Sequence, residues 1–253
     1  INATRSHAEL GRGFTVVPSS HLIDNWKSML HSTQPILIGM RNSLIIAALG
    51  AILTTYFSTM TAFAIHAYEF KGRKFIYTFI LMIMTVPTQV GALGFVRLVD
   101  NMHLVDSKYM LLNYIPLVVP AIAAPVCFFY MKQYMDSTLP MSLIEAARID
   151  GAGEVRIFNT LVVPLMKPAI AVQAIFSFVG SWNNYFTPAL LLHKDKFKTL
   201  PIFIAEMRGA DFLKFDMGMV YMTIAFSIFP VIVVYLILSK QIVGGMTLGG
   251  VKG

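Results

Sequence analysis

The chain has 253 residues, of which 56% are hydrophobic and only 13% are charged, and its mean hydropathy is +0.67. Soluble domains carry about 25% charged residues, so this composition excludes a soluble globular protein. The net charge of +7 comes from Lys and Arg residues scattered through the loops rather than clustered on one stripe, which argues against a nucleic-acid partner.

Residues 1–41 are too polar for a membrane span, and we expect them to form a separate segment with one surface helix. Within them, the stretch PSSHLIDNWKSMLH (residues 18–31) has apolar side chains at helical spacing: Leu22, Ile23, Trp26, Met29 and Leu30. This stripe predicts a helix that lies on a membrane surface or on a partner. An ordinary surface helix docked on the body of the protein fits the pattern at least as well.

Five later stretches contain no Asp, Glu, Lys or Arg: residues 42–65, 75–96, 109–131, 168–192 and 217–239. At about 1.5 Å rise per residue, each stretch is long enough as a helix to cross a hydrocarbon core of about 30 Å. Lipid offers the backbone no hydrogen-bonding partner, so helix is the structure expected for runs of this length. The sequence therefore predicts an all-α polytopic membrane protein with five transmembrane helices in a membrane domain, residues 42–239.

The loop after the first span indicates the orientation in the membrane. This short loop contains Lys71, Arg73 and Lys74, and short basic loops face the cytoplasm. Alternation of the spans then puts residues 1–41 outside, and puts both the loop at residues 132–167 and the tail at residues 240–253 inside.

The inside loop contains an unusual polar stretch, EAARIDGAGEVRIFNTLVVP (residues 145–164). Good helix formers precede Gly151, which is typical of a helix C-terminal stop. We expect a short helix outside the membrane, followed by a second helical piece that runs into the next span. Ala146 and Ala147 would give this helix a small face that a partner can approach, and the charges of Glu145, Arg148 and Asp150 would form a docking rim.

A structural alternative accounts for part of this pattern. Ser142 and Glu145 fit the S-x-x-E capping box, in which the glutamate only satisfies a backbone amide at the helix start.

The polar stretch resembles the EAA loop of bacterial ABC importer permeases, in which E-A-A is followed after three residues by G and after nine more by I-x-L-P. Glu145, Ala146, Ala147, Gly151 and Pro164 match this pattern at the right spacing, whereas Leu161 and Val163 are mild departures. NSLIIA from Asn42, DGAG from Asp150, SWNNYFTPALLL from Ser181, TLP from Thr199 and the terminal GGVKG resemble the carbohydrate-importer subfamily, and more narrowly its maltose-type permease. The likeness extends from about Asn42 to Gly253, with the EAA loop at residues 136–165.

The resemblance implies an assembly in the bacterial inner membrane. Six spans per subunit are usual in this branch, so we expect one more span before Ile1. The expected partners are a second homologous permease, two ATPase subunits inside the cell, an extracytoplasmic solute-binding protein, membrane lipid, and a sugar or oligosaccharide substrate. Residues 145–150 would be the coupling helix seated in a cleft of an ATPase.

The resemblance also assigns a role to the end of the chain. The terminal residues would reach the interface between the ATPases: Gly249, Gly250, Val251, Lys252 and Gly253. The sequence contains no G-x-x-x-x-G-K-[ST] pattern, so we expect ATP and Mg²⁺ to bind to the partner subunits and this chain to have no enzymatic activity or cofactor of its own.

Few polar groups in the spans are available to line a path for sugar. Neutral amides and aromatic rings suit hydroxyl-rich ligands, so the candidates in the fourth span are Trp182, Asn183, Asn184 and Tyr185. Thr88 and Gln89 follow Pro87, where a kink is expected, and complete the set. Interfacial anchoring by the aromatic residues and helix capping by the asparagines are strong alternatives.

Two other functions compete with the importer. Ion-coupled secondary transporters usually carry Asp, Glu or Lys inside their spans, and these spans have none. A membrane enzyme is disfavoured because H-E-x-x-H and G-x-S-x-G are absent. The six histidines have no i,i+4 pair, so we expect no metal site, and the single Cys127 leaves no internal disulfide.

Overall fold

The computed structural model describes residues 1–105, 107–209 and 216–249, and every regular element within these ranges is a helix. The α-helices are α1 His7–Gly11, α2 Leu22–Leu30, α3 Ile36–Ala67, α4 Arg73–Ile83, α5 Ala92–Asn101, α6 Met110–Val118, α7 Pro125–Thr138, α8 Met141–Ile149, α9 Glu154–Ile157, α10 Val163–Leu165, α11 Lys167–Trp182, α12 Phe186–Leu191, α13 Leu200–Gly209 and α14 Met217–Gly249. Short 3₁₀ turns occur at Asn2–Thr4, Thr88–Gly91 and Val119–Ile122, and a π turn occurs at Phe158–Val162.

The long helix α3 is the centre of the fold and packs against α7, α11 and α13. Small residues on its inner face allow close approach, as at Gly39, which lies directly beneath the ring of Phe203. Its buried hydroxyls are satisfied within the helix or by neighbouring segments. Thr55 donates a hydrogen bond to the Ala51 carbonyl one turn earlier at 2.8 Å, and Thr54 donates to the Ala121 carbonyl at 2.9 Å. The helix can therefore be polar at some positions and still be buried.

Three helical stretches are long and apolar enough to cross a membrane without a sharp bend: Ile36–Ala67, Met110–Thr138 and Met217–Ile242. Two further candidates are bent pairs, Arg73–Ile83 with Thr88–Asn101 and Glu154–Leu165 with Lys167–Trp182. Counting each bent pair as one span gives up to five spans in the described part of the chain. The all-α polytopic fold class is thus confirmed. Two of the five predicted spans, however, are sharply bent pairs of helices rather than continuous helices.

The second predicted span, residues 75–96, is broken by an 87° bend. Its last turn before the break tightens, because Thr85 and Val86 donate backbone hydrogen bonds to carbonyls three residues earlier, those of Met82 and Ile83. Pro87 then has no backbone N–H to continue the helix. The kink expected at Pro87 is therefore present, and it is a complete break between α4 and the turn that precedes α5.

The fourth predicted span, residues 168–192, is also divided. Helix α11 ends at Trp182, residues 183–185 form a turn, and α12 is a separate short helix. Before α11, the stretch Glu154–Leu165 meets it at 81° rather than running straight into it. Pro164 and Pro168 lie on either side of this bend, where missing backbone donors favour a break.

Helix α14 continues through Gly249 without a break, so the predicted boundary at residue 240 does not coincide with the end of a helix. Among the predicted tail residues, Gly249 is the last residue of α14. Gly250, Val251, Lys252 and Gly253 lie outside the described residues.

The N-terminal segment docks against the start of α14. Helix α2 forms as predicted, and its buried Asn25 donates hydrogen bonds to the carbonyls of Ala3 and Arg5, at 2.8 and 2.9 Å. From its apolar stripe, Met29 is buried and the Trp26 ring meets Phe226 edge-on at 5.0 Å. The other members of the stripe are exposed: Leu22, Ile23 and Leu30.

Candidate functional site

Helix α8 is the short helix that the polar stretch predicts, and it begins at Met141 after Pro140. No side-chain hydrogen bond caps this start, and Ser142 lies inside the first turn rather than at the cap position. The capping-box alternative is therefore wrong. Glu145 is exposed, and no described residue forms a hydrogen bond or an ion pair with its carboxylate.

The helix ends where Gly151 was expected to stop it. Gly151 has φ +78°, a left-handed conformation that costs glycine little. The Ala152 N–H donates to the Ala147 carbonyl and the Gly151 N–H donates to the Arg148 carbonyl, both at 3.0 Å. This pair of bonds is the Schellman arrangement, which satisfies the last carbonyls of a helix and reverses the chain.

One face of α8 is inserted into the protein and the other is left open. Ile144 is completely buried in an apolar cluster with Met131, Met135 and Ile157. Ala147 is half-buried against the same cluster, whereas Ala146 is exposed, so the two alanines do not share one outward face as predicted. Ile149 is 87% exposed, so the open face combines apolar surface with the free Glu145 carboxylate.

Arg148 is not part of an open docking rim, because its guanidinium is bonded within the loop. Its Nε donates to Glu154 Oε1 at 2.7 Å, and the guanidinium lies 5.3 Å above the centre of the Tyr68 ring. The Tyr68 hydroxyl also donates to Glu154 Oε2, at 2.6 Å. The hydrogen bond to Glu154 raises the pKa of Arg148, and burial, with that carboxylate nearby, raises the pKa of the Tyr68 hydroxyl. These contacts connect α8 to the residue that follows α3.

A second polar cluster connects the chain just before α8 to the same end of α3. His66 Nδ1 lies 2.9 Å from Asp136 Oδ1, and His66 Nε2 lies 3.0 Å from the Leu139 carbonyl oxygen. Lys132 Nζ donates to both carboxylate oxygens of Asp136. The EAA loop is therefore fastened to α3 on both sides of α8.

Two cavities of about 420 Å³ each lie beside α11. They share Leu117, Ser181 and Asn184, so these residues stand where the two cavities adjoin. The polar residues of α11 recur at four-residue spacing along this side: Gln173, Ser177 and Ser181. No charged side chain is present among the described residues that line either cavity.

The predicted path residues do not lie together. Asn184, in the turn after Trp182, and Thr88, just after the break at Pro87, both line the first cavity. Trp182 is buried and stacks on Phe178 at 5.9 Å, so it is a core residue, although its edge reaches a third cavity of about 230 Å³. That third cavity is lined by two other candidates, Asn183 and Tyr185. Gln89 is exposed on the 3₁₀ turn beside Thr88 and lines none of these three cavities.

The cavity-lining residues that prediction missed share one feature, which is a side-chain hydroxyl or amide group: Ser43, Thr54, Gln173, Ser177 and Ser181 in helices, and Thr199 just before α13. The four-residue recurrence of Gln173, Ser177 and Ser181 is a signal that the sequence contains. Thr199 is 3% exposed and its Oγ1 has no hydrogen-bond partner in the described protein.

Within the described ranges, no group of three or more His, Cys, Asp or Glu side chains could hold a metal ion. The candidate functional site has two parts: the exposed, anchored helix α8 and the two uncharged cavities beside α11.

A multi-pass helical bundle with uncharged cavities between its helices, and an exposed helix fastened to the ends of its spans, has the architecture of a membrane transport permease. The chain belongs to the family of binding-protein-dependent transport system inner membrane components, which matches residues 58–243. It is therefore a multi-pass protein of the inner membrane. The family supports the importer interpretation and gives no support to the ion-coupled carrier.

Relatives over nearly the whole chain agree with this family. The arabinooligosaccharides transport system permease protein AraQ of Bacillus subtilis is 33% identical over 244 residues, which cover 96% of this chain and 84% of that protein. The maltodextrin transport system permease protein MdxG of the same organism is 31% identical, with coverage of 92% and 82%. The trehalose/maltose permease protein MalG of Thermococcus litoralis is 31% identical, with coverage of 85% and 75%.

A solved structure supports the fold. A chain from the crystal structure of a bacterial ABC transporter involved in the import of the acidic polysaccharide alginate superposes with a TM-score of 0.78. The match covers 94% of this chain and 86% of that chain, at 22% sequence identity.

Proposed function

We propose that this chain is one permease subunit of an ATP-driven sugar importer, in which it forms half of the translocation path and couples it to separate ATPase subunits. The observation that carries this proposal is the position of α8, which is exposed on one face and fastened to the end of α3 on both sides. A rigid helix attached to a span in this way transmits a push from a partner to the membrane helices. The outcome is alternating access, a two-state equilibrium that ATP and a loaded binding protein would bias.

The partners follow from the same proposal. A second homologous permease would complete the path, two ATPases would bind ATP and Mg²⁺, and an extracytoplasmic binding protein would deliver the substrate. We place α8 in a cleft of an ATPase, where Glu145, Ala146 and Asp150 lie at the contact. The terminal residues 249–253 would reach the interface between the ATPases.

The substrate class rests on the cavities and on the names of the relatives. AraQ and MdxG are named for arabinooligosaccharides and maltodextrin, both of which are neutral sugars rich in hydroxyl groups. The two adjoining cavities supply hydroxyl and amide groups without charge, and Phe95, Phe176 and Phe186 add aromatic surface. A neutral oligosaccharide suits this lining better than an ion does.

The test of coupling uses charge reversal and added bulk on the open face of α8. In the assembled transporter in proteoliposomes, Glu145→Lys and Ala146→Trp should retain substrate-independent ATP hydrolysis and lose at least about tenfold in uptake per ATP hydrolysed. Ala146 is a better site for added bulk than Ala147, because Ala147 packs on the protein's own core. Asp24→Lys, the same kind of charge reversal on α2 beyond the opposite end of α3, is the matched control and should transport normally. Normal coupling in both α8 variants would refute the proposal.

A further inference from the structure

A cavity of about 590 Å³ lies between α4 and α7, away from the cavities beside α11. Its polar lining consists of three cations, one carboxylate and two hydroxyls: Arg73, Lys74, Lys132, Asp136, Tyr77 and Thr78. The cavity is at the end of the molecule where α3 and α7 finish and α8 begins. It is therefore next to the EAA loop.

The charges of this cavity are not balanced. Asp136 is already engaged by Lys132 and faces His66, so the carboxylate is not available to the other two cations. Arg73 and Lys74 form no ion pair with any residue that the structure describes, and Glu69, which lines an adjoining cavity with both, lies beyond ion-pair distance of them. Lys132 is only 8% exposed, so its ammonium group is fixed in the cavity wall. An anion with several acceptor oxygens would complement these groups.

The surface next to the cavity is apolar. Helix α4 has no buried residue, and its outward side chains include Phe75 at 71% and Phe79 at 52% exposure, stacked at 6.1 Å. Arg73 and Lys74 are at the start of α4, and the exposed Phe75 and Phe79 follow them. The surface of this helix therefore changes from basic to apolar along its length. A ligand that matches both parts has an anionic head and a hydrocarbon tail.

We propose that this cavity binds the phosphate group of an anionic phospholipid, with its acyl chains lying along the exposed face of α4. The basic loop next to the cavity is the one that the positive-inside rule puts at the cytoplasmic surface, where anionic headgroups attract basic residues. Basic pockets between membrane helices at that surface are suited to lipid phosphates.

The site also touches the segment that positions α8. His66 bridges Asp136 and the chain before α8, since its Nδ1 lies 2.9 Å from Asp136 Oδ1 and its Nε2 lies 3.0 Å from the Leu139 carbonyl oxygen. A phosphate that binds Lys132 weakens the bond between Lys132 and Asp136. Because Asp136 contacts His66 and His66 contacts the Leu139 carbonyl, this also changes how Leu139, the residue before Pro140, is held. We therefore expect bound lipid to alter the rate of coupled ATP hydrolysis. This second step rests on the proposed function, whereas the binding site itself does not.

The experiment measures binding of phosphatidylglycerol to the purified, assembled transporter by native mass spectrometry, with phosphatidylcholine of the same acyl chains as the reference lipid. The single variants Arg73→Gln and Lys74→Gln should each bind phosphatidylglycerol roughly fivefold more weakly, because a basic side chain that faces an anionic headgroup contributes about that factor in affinity. Lys71→Gln is the matched control, since Lys71 belongs to the same basic loop and does not line the cavity. It should reduce binding by less than about twofold.

Three results would overturn the lipid assignment. Equal losses in Lys71→Gln and in the two single cavity variants would mean general attraction to the basic loop rather than a site. Displacement of the lipid by millimolar inorganic phosphate would indicate a site for free anions. Binding of phosphatidylglycerol only after removal of the ATPase subunits would identify a protein partner as the occupant. Because none of these measurements depends on uptake or on ATP, failure of the coupling proposal would leave the binding result unchanged.

Discussion

The Arg148 Nε atom lies 2.7 Å from Glu154 Oε1, so the last turn of α8 is bonded directly to the first turn of α9. The same carboxylate accepts a hydrogen bond from Tyr68, the residue after α3. Three segments of the chain therefore converge on one carboxylate. Because the pair is partly exposed, we interpret its role as fixing the angle of α8 rather than as holding the fold together.

The first prediction concerns this carboxylate. Glu154→Gln keeps the shape of the side chain and removes its charge, which weakens its hydrogen bonds with Arg148 and Tyr68. Helix α8 is then held less firmly. We expect the free energy of unfolding to change by less than about 1 kcal/mol, as for other partly exposed ion pairs. Transport per ATP hydrolysed should fall severalfold, measured in proteoliposomes alongside a thermal unfolding curve.

Glu69→Gln is the control for that measurement, since Glu69 is exposed and lies in the loop between α3 and α4. It makes the same chemical change without touching the cluster. If Glu154→Gln transports as efficiently as Glu69→Gln, the cluster does not position α8.

The second prediction separates two adjacent asparagines. Asn184 lines both cavities beside α11, whereas Asn183 lines the smaller cavity with Tyr185. Loss of one hydrogen bond weakens binding by roughly two- to tenfold, so Asn184→Ala should raise the KM for uptake by that factor. Asn183→Ala should leave the KM nearly unchanged.

Asn184 also accepts a long hydrogen bond from the Thr187 N–H, at 3.4 Å, so its substitution could disturb α12. Ser181→Ala provides an independent check, because the Ser181 hydroxyl is bonded to no described residue and faces the same two cavities. The assignment of the path fails if Asn183→Ala raises the KM while Asn184→Ala and Ser181→Ala do not.

The contrast between these asparagines shows what sequence can and cannot predict in this protein. Absence of charge over more than twenty residues predicts burial in lipid, and each of the five charge-free stretches overlaps a candidate span in the described part of the chain. It does not reveal a turn at residues 183–185, because uncharged amides interrupt a helix without adding a charge. Which of Asn183 and Asn184 faces a given cavity depends on that turn.

The EAA loop shows the same division between local and tertiary signals. The stop at Gly151 is local chemistry, so the sequence predicts it. The bond from Arg148 to Glu154 depends on the reversed chain after Gly151, and the contact with Tyr68 comes from a segment about eighty residues away. No spacing rule connects them, so Arg148 looked like a free charge.

The third prediction tests the packing of α3. A Cβ atom on Gly39 would lie 2.6 Å from Phe203 Cδ2 and 3.3 Å from the backbone Leu200 Cα. Overpacking of this kind costs about 1–3 kcal/mol, so Gly39→Ala should lower the melting temperature of the purified complex. Gly180→Ala in α11 is the control, because no atom lies within 4 Å of its added methyl group. It should be neutral or stabilising by up to about 1 kcal/mol, and equal melting temperatures for the two variants would contradict the packing described for Gly39.

The fourth prediction concerns the turn that ends α8. Gly151 has φ +78°, so Gly151→Ala forces a side chain into the left-handed region at a cost of roughly 1–2 kcal/mol. Gly153 lies two residues later with φ −70°, which alanine adopts freely. Neither position has an atom within 4 Å of an added Cβ, so the two substitutions differ in backbone conformation and not in packing. Hydrogen exchange at the Gly151 and Ala152 amides should therefore speed up in Gly151→Ala about tenfold and change little in Gly153→Ala, and comparable exchange in the two variants would refute the Schellman ending of α8.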